Sequence, residues 1–365
     1  MGVRLYPHGD MSCGNDYIYS GDSLREMVCM KRLTVCILLL ILSISLSCAR
    51  QTSFPAVGSY SQIVLVTETG KVEGYTKEMV KQLQHVIDYY NREELQFFVK
   101  VVSVDEFEKE APPKNVVFLG LPRQGRVGDY IERLIGSAGV KGVLEGRLNI
   151  FKKLNYPIEG QLTLVVTASS PEYLSRIIEK NGAFIRDLIE QANRERLRNY
   201  LLKEERKWDS DRLKAKYGFR IRIPKLYRIN QEREDVPGIE IVRIKPHRGL
   251  TISWRSWKKE ELSLADSTEL YDIRSQLAWK MYDKDVMRKE LVRYSMTKLG
   301  DYDAVRMDGY WENTQDVYGG PFVCFFINDR VKNKLWIVDC VVFAPGFKKH
   351  KLLRELIALA ETFEI

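Results

Sequence analysis

Histidine is scarce in this 365-residue chain. There are four, and only His85, His247 and His350 follow residue 48. Their scatter argues against a histidine-rich metal site. Of six cysteines, only Cys48, Cys324 and Cys340 lie from residue 48 onward, and no Cys-x-x-Cys occurs. That excludes the usual redox pair and the zinc ribbon. His-Glu-x-x-His, Gly-x-Ser-x-Gly and a phosphate loop are also missing, so the recognised catalytic signatures are absent. No metal and no cofactor is expected. The longest apolar run, Leu33–Leu46, has 14 residues, short of the ~20 that span a bilayer. What survives these exclusions is a non-catalytic protein, or an enzyme that works with carboxylates alone.

The most informative feature present is the stretch Met30 to Cys48. It reads Met-Lys-Arg, the apolar run, then Ser47-Cys48. A basic start, a short apolar core and a small residue before cysteine form a bacterial export signal of the lipoprotein kind. Two cleavage readings compete. Leu46 stands one place late for a lipoprotein signal, and Ser45-x-Ser47 also suits ordinary signal peptidase. Lipidation of Cys48, with palmitate-like chains, is the favoured reading, because a cysteine at that position is otherwise a coincidence; each buried CH₂ would contribute about 0.8 kcal/mol to membrane attachment. Residues 1–29 read as an upstream extension, 30–47 as the signal peptide and 48–61 as a tether. The implied location is the bacterial cell envelope, lipid-anchored at the outer membrane and facing the periplasm. Lys and Arg number 57 against 49 Asp and Glu, a net charge of +8. In that compartment the excess suits anionic lipid, cell-wall glycan or envelope proteins better than nucleic acid.

Gln62–Thr67, Gln96–Val102, Asn115–Leu121, Arg147–Lys152 and Gln161–Ala168 read as strands. Tyr75–Tyr90 and Gly125–Ser137 read as helices, the latter followed by a flexible turn at Gly136, Gly139 and Gly142. A long helix opens at Pro171 and runs to about Trp208, with Asn181-Gly182 as a candidate bend. In the second half, Phe219–Ile223, Ala304–Trp311, Phe322–Ile327 and Leu335–Phe343 read as strands. Ile239–Lys245 and Leu250–Trp257 form a hairpin, and helices start at Ser267 and Phe347. Leu164–Ala168 before Pro171 echoes Asp339–Ala344 before Pro345, which a duplicated unit would explain. The expected fold is α+β: mostly antiparallel sheets with long helices packed on one face, in two halves, 62–208 and 209–365, that the echo would relate.

Four groups of residues are candidates for function. Cys324 and Cys340, on strands joined near Lys332, make one candidate disulfide; the alternative is two buried thiols. Lys348, Lys349, His350, Lys351 and Arg354 crowd a helix start, where cations oppose the dipole and free N–H groups attract anions. They form a candidate anion or lipid-headgroup site, against the plainer reading of a solvated face. Asp303, Tyr310, Trp311 and Glu312 combine carboxylates with aromatic plates, a candidate glycan contact or hydrolytic pair; core aromatics with surface acids are the plainer reading. Gly319-Gly320-Pro321 is read as a strand-entry turn, or as a place where a ligand or another chain approaches bare backbone.

The C-terminal stretch carries a resemblance. Gly309-Tyr-Trp-Glu-Asn313, Tyr318-Gly-Gly-Pro-Phe322, Phe343-Ala-Pro-Gly346, Lys348-Lys-His-Lys351 and Leu353-Arg-Glu-Leu356 resemble a bacterial lipoprotein family catalogued as domain of unknown function 4837. Ile223-Pro224-x-x-Tyr227 and the helix after Ala168 extend the likeness. The resemblance implies a lipid-anchored envelope protein and brings no reaction, cofactor or catalytic residue. The resulting expectation is a non-catalytic binding or structural protein. The alternative is a glycan-binding module or carboxylate-dependent glycan hydrolase built on 301–318.

Overall fold

Val, Ile and Leu runs with no polar alternation demand burial on both faces, and the first sheet supplies it. The structure, a computed structural model, describes residues 55–89, 92–282, 284–316 and 318–365. The upstream extension, the signal peptide and Cys48 lie outside the described residues. Elements of the first half, in chain order, are β1 (Gln62–Thr67), α1 (Gly74–Leu83), β2 (Val86–Asp88), β3 (Glu93–Leu95), β4 (Phe98–Ser103) and the single turn α2 (Val104–Phe107). They continue with β5 (Asn115–Gly120), α3 (Gly125–Leu144), β6 (Ile150–Leu154), β7 (Leu162–Thr167) and α4 (Pro171–Leu201). The sheet order is β4-β1-β5-β7-β6, parallel except for the edge strand β6. One apolar cluster packs α3 on one face of this sheet, and another packs α1 and α4 on the opposite face. β2 and β3 form a separate two-stranded hairpin.

The second half contains α5 (Lys207–Tyr217), β8 (Arg228–Arg233), β9 (Gly238–Arg243), β10 (His247–Ser256), α6 (Ser267–Met281) and β11 (Val286–Met287). It continues with β12 (Arg293–Leu299), β13 (Tyr302–Asn313), β14 (Tyr318–Asp329), β15 (Lys334–Phe343) and α7 (Lys349–Ala360). Its eight strands form an antiparallel sheet, β11-β13-β14-β15-β10-β9-β8, with β12 paired to β13. Alternation along β13–β15 sends one side-chain set toward α5 and α7 and the other toward α6. Residues 55–365 form one compact unit. Among the described residues no helix is long and apolar enough to cross a membrane.

The expected α+β architecture with mostly antiparallel sheets is observed, but the helices, expected on one face, cover both faces of each sheet, because both faces carry apolar side chains. The echoing strand–turn–helix segments are locally alike but sit in unlike sheets. β7 lies beside a parallel neighbour, β15 between two antiparallel ones. Three local expectations are corrected. The helix opening at Tyr75 stops at Leu83, and the β-branched Val86-Ile87 goes into β2. The glycines after Ser137 lie within α3, which kinks only at Gly136 (φ 70°). Asn181-Gly182 does not break α4. A Cβ at Gly182 would lie 2.1 Å from Gln82 Oε1, so the glycine lets α1 press against α4.

Candidate functional site

A cavity of about 550 Å³ opens between the β2–β3 hairpin and α4 on one side and β13, β14 and α7 on the other. Its floor is charged. Glu190 projects from the apolar stripe of α4, and Arg354 from the Leu-rich run of α7, each at most 6% exposed. Arg354 donates to both Glu190 oxygens, from Nε at 2.6 Å and from Nη2 at 2.7 Å. Gln96 Nε2 donates to the same carboxylate at 3.2 Å, and His350 Nε2 lies 2.6 Å from Oε1. An ionised carboxylate only accepts, so the Nε2 of His350 carries the proton. In the neutral ring Nδ1 then accepts from the Tyr89 hydroxyl, 3.2 Å away.

The electrostatics follow from these contacts. Burial alone would raise the Glu190 pKa, but the Arg354 guanidinium, with the bonds from His350 and Arg354, holds it far below the usual carboxylate range. Burial pushes the Tyr89 phenol well up, and the Glu94 and Glu190 charges reinforce that. Tyr89 therefore stays protonated and serves as a hydrogen-bond donor, not as a base. On the opposite wall Arg306 grips Asp308 with two bonds of 2.7 and 2.6 Å, and Tyr310 follows on the same face of β13.

The basic helix start is placed differently from the sequence expectation. The free N–H groups of α7 are taken: Glu94 of β3 accepts from Lys349 N at 2.8 Å and from His350 N at 3.1 Å. His350 and Arg354 turn into the junction. Lys349 Nζ bonds the Ala344 carbonyl oxygen, while Lys348 and Lys351 stay exposed. Of the glycan candidates, Tyr310 lines the cleft and Trp311 is buried against α6. Asp303 is exposed beside Lys298, and Glu312 accepts from Arg288 at 2.8 Å. Asp303 and Glu312 stand near opposite ends of β13, about 30 Å apart at ~3.3 Å per residue. A hydrolytic pair needs roughly 5–9.5 Å, so these two carboxylates do not form one.

The candidate disulfide is also corrected. Cys324 pairs with Asp339, while Cys340 pairs with Val323. The register is one residue off the expected one, which puts the thiols on opposite faces of the sheet. Both cysteines are free and buried. Gly320 lies within β14, where a Cβ would come 1.9 Å from the Val342 carbonyl oxygen. The bare backbone therefore admits a neighbouring strand of the same chain. Among the described residues no cluster of His, Cys, Asp and Glu could hold a metal.

Sequence reasoning missed Tyr89 and Glu190. Tyr89 falls inside the helix that the apolar period predicts over Tyr75–Tyr90. Glu190 had a readable signal, a carboxylate among the buried positions Ile185, Ile189 and Ala192 of one helix.

Residues 206–362 match the family described as Domain of unknown function (DUF4837). No curated protein matches the chain. Among solved structures, a Bacteroides thetaiotaomicron VPI-5482 protein is 14% identical, with a TM-score of 0.25, over 40% of this chain and 44% of its own. The match thus spans less than half of that protein. LpqN of Mycobacterium tuberculosis, described as involved in cell envelope biogenesis, is 11% identical, with a TM-score of 0.28, over 40% of this chain and 81% of its own. At such scores neither likeness bears on this chain's fold or role.

Proposed function

We propose, from a chain whose residues 206–362 belong to the DUF4837 family, that this is a lipid-anchored protein of the bacterial envelope. It faces the periplasm from the outer membrane and holds another envelope component, without catalysis, in the cleft between its halves. The anchor rests on the sequence from Met30 to Cys48. The observation that carries the binding role is the cleft floor. Glu190, His350, Arg354 and Tyr89 satisfy one another and form a fixed polar wall in a cavity of ligand-binding size. A wall already locked by its own bonds loses little freedom on binding.

A second reading, glycan binding, is favoured by Tyr310 standing beside the Arg306–Asp308 pair in the same cleft. Aromatic faces with fixed polar groups suit sugar rings. A photo-crosslinking residue at position 310 tests both readings in living cells, with position 331, a 92% exposed valine on a hairpin tip, as reference. An envelope protein captured only from position 310 supports the first reading, and captured cell-wall fragments the second. Turnover of those fragments by purified protein, abolished by Tyr310→Ala, would overturn the non-catalytic role. The anchor is checked separately: Cys48→Ala should abolish fatty-acid labelling.

A further inference from the structure

The basic residues at the start of α7 divide into an inward and an outward set. His350 and Arg354 are committed to Glu190. Lys348 and Lys351 face outward over a groove of about 390 Å³, whose other walls include Ser59, Ser61, Phe98 and Lys100. Lys100 shares its charge with Glu110. The one acid on the groove wall, Glu94, is already spent on the N–H groups of α7.

Beside these cations lie apolar side chains that folding has left out. Phe98 is 42% exposed and Phe347 54% exposed, and Lys348 Nζ stands 4.0 Å from the centroid of the Phe98 ring. The β9–β10 turn lies at the same end of the sheet, since His247 pairs with Phe343. It adds exposed Ile244 and Lys245. Exposed rings flanked by lysines, with the neighbouring Glu94 and Glu110 already engaged, suit the bilayer interface: rings enter the headgroup layer while ammonium groups reach phosphate.

Chain length ties this face to a membrane. Ser59 and Ser61 on the groove wall follow closely on Pro55, the first described residue. Cys48 lies seven residues before Pro55. At no more than about 3.3–3.6 Å per residue, a lipid on Cys48 keeps Pro55 within about 25 Å of the bilayer. We infer that the Lys348–Lys351 groove, with Phe98 and Phe347, is a docking face for the anionic phospholipid surface that carries the anchor. The inference rests on the anchor proposed above, and it fixes which side of the protein lies against the membrane.

The test uses the polypeptide from Ala49 onward, which keeps the whole compact unit 55–365 and has no Cys48, so its result does not depend on lipidation. Co-sedimentation is measured with neutral phosphatidylcholine vesicles and with vesicles containing phosphatidylglycerol. Binding should require the anionic lipid and weaken with salt. Lys348→Glu with Lys351→Glu should lower the partition by at least about thirtyfold, the loss of two lysine–lipid contacts alone, with the new carboxylates adding repulsion. Phe347→Ser should lower it several-fold in a protein that melts normally. The matched pair Arg330→Glu and Lys332→Glu, in the turn at the far end of β15, should change it little. Equal binding to neutral vesicles, or equal loss from the control pair, overturns the proposal. So does competition by inorganic phosphate at the lipid-phosphate concentration, which would assign the groove to a soluble anion.

Discussion

Of the buried carboxylate–arginine pairs among the described residues, two stand in contrasting surroundings. Glu190 and Arg354 join α4 to α7 at the floor of the cleft. Asp339 and Arg274 join β15 to α6, and both are 0% exposed. Glu190 collects two bonds from Arg354 and further contacts from His350 and Gln96. Asp339 has the Nε of Arg274 at 3.1 Å, its Nη2 at 3.0 Å and the Tyr282 hydroxyl at 3.3 Å. Around it the guanidinium lies 3.5 Å above the Phe322 ring, beside Cys324. The two acids shift in opposite directions. For Asp339 burial outweighs Arg274 and raises the pKa; for Glu190 the opposing contacts outweigh burial and lower it. Burial and an arginine partner are common to both, so the closeness of the opposing contacts, 2.6 and 2.7 Å from Arg354 against 3.1 and 3.0 Å from Arg274, decides whether a buried acid is held ionised.

The largest effect should come from breaking the drier pair. Arg274→Ala strands a fully buried Asp339 and should cost about 3–5 kcal/mol in denaturant unfolding. Replacing both partners, Arg274→Met with Asp339→Leu, should recover most of that, because an apolar pair avoids the desolvation of two charges. A double variant no better than the single one would mean that the pair itself, not the stranded charge, sustains this face. Glu190→Ala should cost less, about 1.5–3 kcal/mol. The cleft lets water reach His350, whose side chain is 17% exposed, and relieve the groups left behind.

Acid titration sharpens the contrast. The Glu190 pKa is depressed on folding, so its contribution is complete above the unfolded value, about 4.5, and drains away as pH falls through the folded one. The Asp339 pKa is raised above its unfolded 3.8, so protonation is easier in the folded state and acid relieves its cost. Glu190→Gln should therefore flatten the loss of stability below about pH 4.5. Asp339→Asn should steepen it. Melting temperatures of the two variants between pH 3 and 6 check this, and parallel slopes would remove the distinction.

Much of the fold was legible where one physical pattern dominated. The runs of β1, β5 and β7, the hairpin of β9 and β10, and the helices opening at Pro171 and Ser267 follow from apolar period, Pro at a helix start and turn residues. β8 and β12 escaped because they are half-exposed and rich in charge, with little apolar alternation. The site was less legible, because it is made by long-range juxtaposition. Tyr89 meets His350 across 261 residues of chain, and Glu190 meets Arg354 across 164. Register was beyond reach as well: one residue of slip separates a feasible disulfide from two thiols on opposite faces.

The smallest expected effect compares two borrowed helix caps. Neither α3 nor α7 has an acid in its first turn or a side-chain cap of its own. Glu68, just after β1, accepts from the N–H groups of Arg126 and Val127 at 3.2 and 2.9 Å. Glu94 does the same for α7 at 2.8 and 3.1 Å. Each change to alanine should cost about 1 kcal/mol, so stability alone will not separate them. Their positions will. Glu68 and α3 belong to the same sheet layer, whereas Glu94 reaches α7 from the other half and sits on the hairpin that carries Tyr89. Hydrogen exchange after Glu68→Ala should therefore quicken only at the start of α3. After Glu94→Ala it should quicken in β2, β3 and the first turn of α7 together, because one carboxylate fastens the hairpin to the helix. Faster exchange confined to the amides of residues 349 and 350 would show that the Tyr89–His350 bond holds the hairpin without Glu94, making the cap a local device at both helices.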